Sequence, residues 1–238
     1  MKSGFGTNGP ALPVHIIVRW TMTALPITPG QKKQISSFVT DALEGGLDNT
    51  RVTQAKRLWD LGYGRALGYE SFEVYLATIP EIPASLLADD PELPLLTLDD
   101  PRVPRTARAK LAGVKYAEFG YNDQSHIPFD KRHETSKTPY WFRAHNGRPN
   151  RGRKPSECRA ELTGNLLAGT VDVGLALFTQ HKNVVKEGEH VMELPGSVPR
   201  DVRGYCACLY VWDGQPKLNS YGDGNANPHY GAVVFRRE

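Results

Sequence analysis

Six prolines between residues 80 and 104, at Pro80, Pro83, Pro91, Pro94, Pro101 and Pro104, constrain this chain more than any other feature. Proline lacks an amide hydrogen and fixes φ. A stretch this rich in it is expected to form neither a helix nor a central strand. The stretch reads as a long, partly ordered connection, and it places a domain boundary at about residues 90–105. The patterns on its two sides differ.

Upstream the spacing is mostly helical. Residues 1–13 are rich in Gly and Pro and read as a flexible arm. His15 to Met22 is a short β-branched strand. Thr28-Pro29 opens a helix whose apolar face is Ile35, Phe38, Val39, Ala42 and Leu43, stopped by Gly45-Gly46. Val52, Ala55, Leu58 and Trp59 form a second helical stripe, ended at Leu61-Gly62-Tyr63-Gly64. Ser71 caps a third, carrying Phe72, Tyr75, Leu76 and Ile79. This gives a helical region over 14–100.

Downstream, strands dominate residues 101–238. Leu111 to Phe119 is a short strand, and 123–139 is a polar loop. Tyr140 to His145 is a strand, and Asn146-Gly147 after it is a tight-hairpin signal. Pro155-Ser156-Glu157 opens a short helix, and Thr170 caps another whose buried side is Val171, Leu175, Ala176, Phe178 and Val184, ending near Gly188. His190–Leu194, Tyr205–Trp212, Lys217–Tyr221 and Tyr230–Arg236 read as strands, with a turn at Asp213-Gly214. The fold class is α+β: a mainly helical N-terminal part, then a mixed or antiparallel sheet with short helices.

Charge is segregated along the chain. Residues 41–100 hold twelve acids and four bases, while 102–159 hold fourteen bases and five acids. The sharpest segment runs from Lys131 to Arg159, with nine bases against two acids and with Tyr140, Trp141 and Phe142 among them. Cationic side chains neutralise phosphates, and aromatic faces stack on unpaired bases. Arg143, His145, Arg148, Arg151, Arg153, Lys154, Tyr140 and Trp141 are therefore candidate contacts for RNA or another single strand, presented on a basic hairpin. The plainer reading is a solvated loop that neutralises the acidic region of the same chain or meets a protein partner.

One succession of residues resembles a known family. It runs Thr170-Val171-Asp172-Val173-Gly174-Leu175-Ala176-Leu177-Phe178, then Glu193-Leu194-Pro195-Gly196-Ser197 and Leu209-Tyr210-Val211-Trp212. Pro216-Lys217-Leu218 and Asn225-Ala226-Asn227-Pro228-His229 follow, closing at Gly231. With Arg57 to Tyr63 and Ser71-Phe72, it resembles an uncharacterised bacterial family of short proteins classed as a domain of unknown function. The sequence departs from that family near Val173, where a Glu is expected, and around 100–139. The resemblance implies the order of elements and a bacterial source, and no activity.

The polar loop near the C-terminus is a second candidate site. Ser197, Lys217, Asp223, Asn225, Asn227 and His229 could line a pocket, of an enzyme whose reaction the sequence does not name. Asp223, Asn225 and Asn227 alternate as in a cation loop, but no acid follows to supply a bidentate ligand. Cys206 and Cys208 alternate on one strand and lack the turn that lets two thiols converge on zinc, so with Cys158 they read as core residues and no metal or cofactor is expected. Nothing in the spacing singles out a catalytic set. Three cysteines argue for a reducing compartment. No apolar run approaches the roughly 18 residues of a membrane span. The expected location is cytoplasmic, with no membrane partner.

Overall fold

The computed structural model describes residues 48–116 and 126–237. The expected arm, first strand and first helix lie within residues 1–47, outside the described residues. The first described helix, α1 (Asp48–Leu61), buries Val52, Ala55 and Leu58 on one face. It stops where Gly62 turns to φ 102, a conformation that favours glycine. Then come α2 (Tyr63–Ala66), α3 (Phe72–Leu76) and α4 (Ala84–Leu87). The Ser71 hydroxyl accepts from the Val74 amide at 3.4 Å and caps α3. Tyr75, Leu76 and Ile79 close a cluster over α1.

The proline-rich connection contains the one-turn helix α4, where no helix was expected, and a strand, β1 (Leu95–Asp99), where no central strand was expected. It fits between Pro94 and Pro101 because it is an edge strand. It pairs with β4 (Tyr140–Ala144), in a sheet of order β1-β4-β11-β5 whose other two strands are β11 (Val234–Arg237) and β5 (Leu166–Ala168). The expected strand at Leu111–Phe119 is replaced at its start by α5 (Arg105–Leu111). Only β2 (Lys115–Tyr116) remains of it before the undescribed residues 117–125. Within the expected loop, β3 (His126–Pro128) pairs with β7 (Ser197–Pro199).

The Asn146-Gly147 hairpin is also corrected. Instead of folding back, the chain enters a 3-10 turn at Arg148–Asn150. Gly147 has φ 91 and lies against Gly231, where a Cβ would sit 2.1 Å from the Gly231 carbonyl oxygen. This backbone-to-backbone approach pins the turn to a distant strand. The partners of β4 are accordingly remote in sequence: β1 on one side and β11 (Val234–Arg237) on the other.

Next come α6 (Pro155–Ala160), β5 (Leu166–Ala168) and α7 (Val171–Gln180). The Thr170 hydroxyl caps α7 through the Val173 amide at 3.2 Å, and the helix ends at Gln180 rather than near Gly188. The strands β6 (Val191–Leu194), β8 (Tyr205–Trp212), β9 (Gln215–Gly222) and β10 (Tyr230–Ala232) join β2 in a mixed sheet of order β10-β6-β8-β9-β2. Asp213 and Gly214, both at positive φ, make the β8–β9 turn. The expected strand at Tyr230–Arg236 breaks at Val233. There its amide donates to the Glu193 carbonyl, its carbonyl accepts from Gly169, and the chain passes from one sheet to the other.

The fold is thus mixed α+β. Met192, Leu194, Ala207, Leu209 and Leu218 face α7 from the five-stranded sheet, and Phe142 and Phe235 join them from the four-stranded one. Beside this core lies a buried ionic group. Arg108 of α5 donates to Asp99 at the end of β1, at 2.7 Å, and to Asp172 in the first turn of α7. Arg105 holds Asp172 through two further bonds of 3.1 and 2.8 Å. The paired arginines hold the Asp172 carboxyl well below the usual carboxylate range. Among the described residues no helix is long and apolar enough to cross a membrane.

Candidate ligand cavity on the outer face of the five-stranded sheet

Side chains alternate across a strand, so the residues between the core positions of β6, β8 and β9 face away from α7. The register gives their layout. Glu193 lies between Ala232 and Cys208, and Cys208 faces Asn219. On one side Tyr210 pairs with Lys217, and on the other Cys206 pairs with Tyr221. Tyr230 stands beside Val191 on β10. Tyr221 and Tyr230 come from strands with β6 and β8 between them, yet their rings meet at 4.8 Å between centroids. A cavity of about 450 Å³ opens over this face, walled by Tyr210, Tyr221, Tyr230 and Trp212, with Cys208 on its surface.

Lys217 and Asn219 also line this cavity. Asn219 donates weakly to the Tyr210 hydroxyl at 3.5 Å. No acid pairs with Lys217 among the described residues, whereas Lys186 at the rim is paired with Glu189. His190 is held as a neutral ring. Its Nε2–H donates to the Asn146 carbonyl at 2.7 Å and its Nδ1 accepts from Arg151 at 3.2 Å. Burial pulls it down to about 4. Burial pushes the Cys208 thiol up to about 12 and the Tyr230 hydroxyl up to about 12.

Glu193 is the most unusual group here. It is 0% exposed, and neither carboxylate oxygen has a hydrogen-bond partner. Burial alone raises it to about 8, so it carries its proton at neutral pH. Sequence reasoning assigned it no role. Its signal was a lone acid among the apolar residues of Val191–Leu194.

The two candidate sets fare differently. Of the pocket set, Lys217 and His229 line the cavity. Ser197 is buried, and its hydroxyl accepts from the Val171 amide at the start of α7. Asp223 pairs with Arg159 at 3.0 Å. Asn225 lies against Gly222, and Asn227 accepts from the His229 amide. Among the described residues no group of His, Cys, Asp or Glu could hold a metal ion.

In the basic set, Trp141 is buried and its indole N–H donates to the Pro80 carbonyl. Tyr140 packs against the main core. Arg143 is buried, donating to the Leu86 and Leu93 carbonyls. His145 is buried and accepts from the Gly147 amide. Arg151 holds His190 and the Glu189 carbonyl, Arg153 pairs with Glu161, and Lys154 pairs with Glu157. Arg148 is exposed, on the rim of a groove described below. The stacking surface expected at Tyr140 and Trp141 is turned inward, because both faces of β4 are covered: Tyr140 packs against the main core and Trp141 against the cluster around α1.

The acids of the upstream region are partly neutralised within the chain: Asp100 by Arg102, Asp99 by Arg108 and Asp90 by Arg236. No family model matches the chain, and neither a curated protein nor a solved structure matches it.

Proposed function

We propose that this protein binds a small, flat organic anion in the cavity over the outer face of the five-stranded sheet. The observation that carries the reading is the wall itself: three tyrosines and Trp212 enclose Lys217, which has no acidic partner among the described residues. Ligand sites are commonly concave, mostly apolar and aromatic, with a few polar groups that fix orientation. The rings supply contact area, Asn219 and the tyrosine hydroxyls supply hydrogen bonds, and Lys217 supplies charge. The groups support binding rather than catalysis. The Cys208 thiol is pushed far from reactivity, and both ring nitrogens of His190 are occupied.

Calorimetric titration with naphthyl phosphate, a flat organic anion, tests this. Saturable binding is expected. Lys217→Ala and Tyr230→Ala should each weaken it about tenfold, the scale of one charge-assisted hydrogen bond or one stacked ring. Binding that neither substitution alters would contradict the assignment.

A second reading, an RNA single strand, is favoured by one observation. Two cavities of about 510 Å³ share Pro91, Glu92, His145 and Pro149, forming a groove beside the basic turn. Arg148 and Lys182 stand exposed on it. On this reading Arg148→Ala with Lys182→Ala lowers retention on immobilised RNA and reduces the salt slope by about 1.4. Unchanged retention and slope would end it.

A further inference from the structure

We infer that the cavity's ligand is a nucleotide-like molecule, a nitrogen heterocycle with an anionic tail, and that Glu193 reads the edge of the heterocycle. The inference rests on the cavity reading above and narrows its ligand. Glu193 stands in the middle of the outer face, in register with Cys208, which lines the cavity. Directly opposed residues on neighbouring antiparallel strands lie about 5 Å apart at Cβ, so Glu193 lies directly behind the Cys208 wall, fully buried and not itself among the residues that line the cavity. The titratable groups around it are Cys206 and Cys208 from β8, Tyr230 from β10 and Cys158 from α6. None is a cation, and no charged neighbour acts on Glu193.

A carboxyl kept out of water without a cationic partner keeps its proton. It then presents an O–H donor and a C=O acceptor side by side. The matching partner is an N–H beside a ring nitrogen or carbonyl, as on the edge of a purine or pyrimidine. A hydrocarbon ring would leave both carboxyl atoms as unsatisfied as they are now, and leaving buried polar groups unmade costs free energy. Tyr221 and Tyr230 are in ring contact across β6 and β8, at 4.8 Å between centroids, so they part to admit the heterocycle, which then stacks on their faces with its edge toward Glu193. Lys217, on the same cavity, takes the phosphate.

The test is calorimetry on the full chain with AMP, GMP, CMP and UMP, their nucleosides, inorganic phosphate and naphthyl phosphate, near pH 6.5 and near pH 9. At least one mononucleotide should bind about tenfold or more tighter than its nucleoside and than naphthyl phosphate, and inorganic phosphate alone should bind weakly. Affinity should fall about tenfold at the higher pH, where the carboxyl ionises and loses its donor. Glu193→Leu should lower the affinity about tenfold at the lower pH. Glu193→Gln, whose amide keeps a donor and an acceptor, should bind within a few-fold of the wild type and lose the pH dependence. This second variant decides the matter even if the leucine variant does not fold.

If no mononucleotide binds, or one binds without pH dependence in the wild type, the inference is overturned. If naphthyl phosphate still binds in a Lys217- and Tyr230-dependent way, the cavity reading survives that failure. If a nucleotide binds but ignores Lys217→Ala and Tyr230→Ala, it sits elsewhere, and both fail.

Discussion

Between about pH 4.5 and pH 8 the wild-type protein is expected to lose several kcal/mol of folding stability that the Glu193→Gln variant does not lose. The cause is the buried carboxyl on β6. Unfolded, Glu193 ionises near the ordinary glutamate value of 4.5; folded, it holds its proton up to about 8. Over that window the unfolded state binds fewer protons than the native state, so stability falls as pH rises. A one-proton difference costs about 1.4 kcal/mol for every pH unit crossed, which bounds the loss at about 5 kcal/mol. Glutamine cannot ionise, so its profile lacks this component. Asp99, raised to about 6 mainly by burial, contributes a slope of the same sign in both proteins. His126, His145, His181 and His190, all lowered to about 4, contribute the opposite slope below about pH 6.5 in both. The difference between the two proteins isolates Glu193. Urea denaturation at a series of pH values measures it, and parallel profiles for the two proteins would mean that the carboxyl is solvated or paired.

Arg108→Ala is expected to destabilise the protein by about 3–5 kcal/mol. Arg108 and Asp99 are almost entirely buried, and Asp172 shares the same arginine. Truncation removes both bonds and leaves Asp99 in the interior with no arginine, while Asp172 keeps Arg105. The cost is that of stranding a charge, and it exceeds what the pair contributes over a well-packed apolar one. The double variant Arg108→Met with Asp99→Leu should therefore recover much of the loss, because neither charge remains to be solvated. Denaturant midpoints of the two variants test this. A loss under about 1 kcal/mol for Arg108→Ala would show that water reaches the group.

What the sequence revealed and what it concealed follow from the range of the interactions. The stripe Val52, Ala55 and Leu58, the Ser71 and Thr170 caps and the Asp213-Gly214 turn were legible because each is decided within a few residues. The edge strand β1 was hidden among prolines because its partner, β4, lies more than forty residues away. Asn146-Gly147 misled because the close approach to Gly231 overrides the local preference for a hairpin. Among the candidate residues, Lys217 and His229 were found through composition. Tyr221 stands with the polar loop in the sequence, but Tyr210 and Tyr230 were missed because they sit on other strands, and only the sheet order brings the three to one face. The aromatic and basic residues around β4 looked like a surface because their sequence density is high. The sheet buries Trp141 and Arg143, and ion pairs engage Arg153 and Lys154.

The most direct measurement of the central claim is a crystal structure of the protein grown with naphthyl phosphate. The ring should stack against Tyr221 or Tyr230 on the outer face of the five-stranded sheet, with the phosphate at Lys217. A ligand ordered only in the groove beside Arg148, or a face that stays empty at saturating ligand, would contradict the account.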